Sequence, residues 1–190
     1  MAIGDLLTEY SPQMEVFTNH SAFRKADITT RNALSDEQEM EFGAYLLAVT
    51  DERGLDDVIT AIIRATENAV AIKAGTRLKH ALGTILKLAT RNAFTYSKRH
   101  FGLDRKPLGP ELGGALASIA GRVLGLELEG LSPEDREFEA CKQFIRFGAE
   151  TIRHALESND QRNGIAAAYR AAVKAASAHA PGLMSTRWRD

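Results

Sequence analysis

Glu150 and His154 stand four residues apart, a spacing that sets a carboxylate and an imidazole on one helix face. Such a pair can share a proton or supply two ligands to a metal. A di-iron bundle takes a Glu-x-x-His motif from each of two helices, and those paired motifs are missing. The pair therefore reads as a surface ion pair, worth roughly a few tenths of a kcal/mol. Cys141 is the single cysteine, which excludes an intrachain disulfide and a multi-cysteine zinc site. It falls on the apolar stripe of its segment, as a small core residue does. His80 and His100 belong to a basic segment or its end, where solvation or helix capping accounts for them. No G-x-S-x-G, H-E-x-x-H, phosphate-binding glycine loop or dinucleotide fingerprint occurs. The expectation is a chain that is not an enzyme, with no catalytic residues, no metal ligands and no cofactors.

Charge is distributed unevenly. Residues 36–57 hold eight acids (Asp36, Glu37, Glu39, Glu41, Asp51, Glu52, Asp56, Asp57) against Arg53. Residues 73–106 hold nine bases against Asp104, and on a helical projection Arg77, His80, Lys87, Arg91, Lys98 and Arg99 share one arc. That basic face could meet a protein partner, a membrane surface or the acidic helices of the same molecule. With a formal net charge of −1 and no recognisable reading module, nucleic acid is not the expected partner. A second feature is a ladder of small residues every four positions, Gly113, Ala117, Gly121 and Gly125. On one edge of a helix it allows another backbone to come close, either as a seam for self-association or insertion, or as a tight crossing within the core with its end glycines as caps.

The elements that must carry these residues are helical. Of 190 residues, 44% are hydrophobic but only 7% aromatic, so aliphatic and alanine contacts dominate the core, and no alternating strand pattern appears. Ser35 with Gln38 forms a capping box for a first helix whose apolar face is Met40, Ala44, Leu47 and Ala48. Thr50 caps a second, with Leu55, Val58, Ile59, Ile62, Ile63, Ala69 and Val70 inward, broken near Gly75. The basic helix spans about 76–99 and the small-residue helix about 111–124. Ser132-Pro133-Glu134-Asp135 opens a long helix to about Glu157. Its stripe is Phe138, Cys141, Ile145, Gly148, Ile152 and Ala155, widened by Phe144 and Phe147. A last alanine-rich helix starts at Asn159 or Asp160, runs through Tyr169, Ala172, Val173 and Ala176, and closes at Pro181-Gly182.

The stretch GLELEGLSPEDREFEACKQFIRFGAETIRHAL, together with LSDEQEMEFGAYLLAVTDERGLDDVI at 34–59, resembles a bacterial family of uncharacterised activity. Its pattern joins a variable arm, a helical segment, a Gly-rich middle, a GLELEGLSPEDREFE-type signature and an alanine-rich helix ending near HAPGL. The likeness covers about residues 34–184, although the arm here is not acidic and the middle carries a basic helix. It implies no catalytic residues, and a setting near secretion or injection genes.

The expectation is an all-α compact bundle of five to six helices at 35–184, with a flexible N-terminal arm at 1–34 and a tail at 185–190. Its function would be that of a helical interaction or assembly protein working by self-association or with a protein partner. The alternative is a membrane-active protein using residues 76–125. The first residues show no classical signal peptide, so a cytoplasmic location, or export by a non-classical route, is expected.

Overall fold

Residues 32–94, 121–158 and 163–185 are described by a computed structural model. They lie in a unit that begins at Asn32. The arm at 1–31, the basic positions Lys98 and Arg99, and the ladder positions Gly113 and Ala117 lie outside the described residues.

The fold is all-α, with no strand among the described residues. In chain order the helices are α1 (Asp36–Ala48), α2 (Glu52–Val70), α3 (Thr76–Ala93), α4 (Pro133–Leu156), α5 (Gly164–His179) and the short α6 (Pro181–Ser185). Their starts follow local chemistry. Ser35 and Gln38 form both halves of the capping box. Ser132 accepts from the Asp135 N–H, and Pro133 occupies the first helical position. At α2 the cap is Asp51, not Thr50: its carboxylate accepts from the Gly54 N–H at 2.7 Å. A carboxylate answers both the orphan N–H and the helix dipole, which a threonine hydroxyl does less well. The last helix is capped by Asn163, later than expected.

α4 is the centre of the bundle and packs against α1, α2, α3 and α5. Phe144 and Phe147 are fully buried, with ring centroids 5.8 Å apart, and Phe94 sits 5.6 Å from Phe144. Phe138, expected on the core stripe, is half-buried in the first turns of α4, beside the exposed Pro133–Asp135. Leu78, Leu82, Leu86 and Ala89 of α3 and Ile59 and Ile62 of α2 complete the interior. α5 turns Ala167, Ala168, Ala171, Ala172, Ala175 and Ala176 inward, while Tyr169 is exposed. Methyl side chains let α5 lie close to its neighbours, so the larger residues take the outer flank. Ala33 and Leu34, expected in the arm, are buried with the core.

Two buried carboxylates fasten the joints. Glu67, near the end of α2, accepts from the Ala74 N–H at 2.8 Å and is paired with the Lys79 ammonium at 2.9 Å. It thereby fixes the turn into α3. Burial alone would raise its pKa, but those two donors bring it below the usual carboxylate range. Glu150 does the same for residues 32–34, and is described below.

Candidate functional site

α1 has two unlike faces. Its inner face carries Glu39, Gly43 and Leu46, with Phe42 half-buried beside them. Arg146 of α4 reaches across to Glu39: Nε donates to both carboxylate oxygens at 3.0 and 3.1 Å, and the terminal amine Nη2 bonds Oε2. Glu39 is 1% exposed, so this two-pronged pair neutralises a charge inside the protein. Gly43 allows the crossing, because a Cβ there would stand 3.3 Å from the Lys142 Cα.

The outer face of α1 carries Met40, Ala44 and Ala48, all exposed, with Leu47 at its edge. These are the residues expected to face the core, and the structure corrects that assignment. Counting apolar positions selected the wrong side of the helix, since the true inner face holds a glutamate and a glycine. Met40 is 52% exposed and Tyr45 54%. Tyr45 leans toward Phe42 at 6.5 Å and donates its hydroxyl to Glu41. Asp36, Glu37 and Glu41 border the stripe, and α1 contains no basic residue. The result is an apolar strip with an acidic rim, on a helix anchored from behind.

Two of the four described members of the basic face of α3 are engaged within the molecule. Lys87 pairs with Asp56 at 2.5 Å and approaches Glu52, and Arg91 pairs with Glu52 at 3.1 Å. These bonds run to the acidic surface of α2. Arg77 and His80 are exposed and form no ion pair among the described residues. Leu78, Leu82, Leu86 and Ala89 of the same helix are buried in the bundle, so a membrane could reach them only by opening the fold.

Gly121 and Gly125 also face their own chain. Residues 121–124 form a helical turn closed by a Schellman motif, in which the Leu126 N–H donates to the Gly121 carbonyl and the Gly125 N–H to that of Arg122. Gly125 takes φ +69°, which a side chain would strain. A Cβ on Gly121 would meet Leu128, and one on Gly125 would meet Pro181. Both serve close intramolecular packing. An open recess of about 620 Å³ follows, lined by Arg122, Leu126, Glu127, Leu128, Glu129 and Arg136, where both signs of charge meet.

Glu150 and His154 are not a surface pair. Glu150 is 5% exposed; one oxygen accepts from the Ala33 N–H at 2.9 Å and the other from Arg153. Burial opposes its charge, and these donors still hold its pKa below the usual range. His154 Nε2 lies 3.9 Å from it, too far for proton transfer, and its buried Nδ1 makes no hydrogen bond, with the Glu157 carboxylate 4.0 Å away. Burial first, then Arg153 and Lys174, push the His154 pKa down. Cys141 is buried, with its thiol pushed up to about 12 by burial and by Glu137. Among the described residues no three His, Cys, Asp or Glu side chains gather where a metal could be held, and no helix is long and apolar enough to cross a membrane. Compared with protein-family models, curated proteins and solved structures, the chain matches none.

Proposed function

We propose that this is a non-enzymatic helical interaction protein that docks a protein partner, or further copies of itself, through the outer face of α1. The observation that carries the reading is the apolar strip Met40–Ala44–Ala48 turned to solvent on a helix whose other face is locked by Glu39 and Arg146. A rigid, preorganised strip loses little freedom on binding, which favours its use as a recognition surface. Lys87 and Arg91 of the basic face, and Gly121 and Gly125 of the small-residue seam, are taken up by contacts within the protein and support this reading less. A role as an accessory to a secretion or injection apparatus is the setting that the family resemblance implies for such a protein.

The test is photo-crosslinking. A photoreactive phenylalanine analogue replaces Met40 in one variant and the exposed Arg64 of α2 in another. Adducts are expected from position 40 and not from position 64. A chain that stays monomeric and yields no adduct from position 40 refutes the reading.

A further inference from the structure

We propose that the partner of the α1 strip is a basic amphipathic helix, seated with its apolar side on Met40, Ala44, Leu47 and Ala48 and its lysines or arginines against Asp36, Glu37 and Glu41. This inference rests on the α1 docking reading and specifies its occupant. Three observations support it. The first is spacing: positions 40, 44, 47 and 48 repeat as i, i+4, i+7 and i+8, the track that another helix's apolar ridge fills. The second is rim charge. Asp36, Glu37 and Glu41 form no ion pair among the described residues, whereas Glu52 and Asp56 on neighbouring α2 are taken by Arg91 and Lys87. Glu37 and Glu41 are therefore available to an incoming cation, while Asp36 also feels the Arg146 guanidinium from behind the helix. The third is self-exclusion. A two-fold pairing of α1 with α1 would place these like charges together around a small contact, which penalises a symmetric dimer through this face. The one tyrosine on the edge agrees: its hydroxyl already donates to Glu41, and that bond and charge raise the Tyr45 pKa, leaving an acidic, hydrogen-bonded margin.

The test uses the full chain and two labelled 14-residue peptides of idealised helical pattern, one of leucine and lysine and one of leucine and glutamate. Binding is read by fluorescence anisotropy in low and in 0.3 M salt. The leucine–lysine peptide is expected to bind saturably and more weakly in high salt, and the leucine–glutamate peptide not to bind. Met40→Asp should weaken binding by about tenfold or more, from lost apolar burial. Met40→Leu should preserve it. Glu37→Lys with Glu41→Lys should weaken binding and flatten its salt dependence. All of these positions are exposed, and thermal melts confirm that the variants fold. Equal binding by wild type and Met40→Asp, or equal binding of both peptides, overturns the proposal. So does failure of the wild type to bind either peptide. In that case light scattering separates the two ideas: self-association abolished by Met40→Asp keeps the α1 surface and replaces its occupant with a second copy, whereas a monomer that also gives no crosslink from position 40 removes both.

Discussion

Replacing Arg146 with alanine should be among the most damaging single changes on the surface-facing half of α4. The guanidinium is about a quarter exposed, but the carboxylate it neutralises, Glu39, is 1% exposed. Arg146→Ala leaves that charge in the interior without its cation. Breaking a buried pair from one side costs about 3–5 kcal/mol, against a total stability of about 5–15 kcal/mol for a domain of this kind. With a urea dependence of about 2 kcal/mol per molar, the unfolding midpoint should fall by roughly 2 M. The assay is urea unfolding followed by circular dichroism at 222 nm. Glu39→Leu combined with Arg146→Leu should recover most of the loss, since two apolar side chains can replace a buried ion pair at little net cost. A loss below about 1 kcal/mol for Arg146→Ala would match a solvated surface pair and refute the reasoning. A double variant as unstable as the sum of its single changes would refute it as well.

Two glycines should respond in opposite directions. Gly182→Ala drives a Cβ to 2.5 Å from the Val123 Cα and should destabilise by about 1–3 kcal/mol, whereas Gly83→Ala meets nothing within 4 Å inside α3 and should stabilise by about 0.5–1 kcal/mol; thermal melts check both. Acid should weaken the fold in two stages. His154 and His179 have lowered pKa values, chiefly from burial, so below about pH 6.5 the unfolded chain takes up more protons and stability falls. Glu150 and Glu67 are also lowered, so their contribution is present above about pH 4.3 and is lost as pH falls through their folded values. A melting temperature that stays flat from pH 7 to 3 contradicts this. Cys141 should resist a thiol reagent in the native protein and react once urea unfolds it; rapid native labelling would show the site to be open.

Local chemistry made much of this architecture readable from the chain. The Ser35–Gln38 box and the Ser132-Pro133 start act within four residues, so the sequence carries their whole cause. The faces of α2 and α3 were legible because long aliphatic residues mark them, although Ala69, counted with the α2 face, is exposed and Val70 half-buried. α1 was misread because its inner face depends on Arg146, whose pairing with Glu39 spans 107 positions and leaves no periodic trace. Glu150 was misread for the same reason: its partner is the Ala33 backbone, 117 positions away.

The central position of α4 also bears on how the protein is made. A ribosome releases α1, α2 and α3 before the helix they pack around has been synthesised. Glu39 must wait, hydrated and charged, until residue 146 emerges. Early helices can form only provisional contacts among themselves, and consolidation comes late, when α4 gathers them. Nascent chains stalled before residue 133 should accordingly be protease-sensitive, and those released beyond α5 resistant.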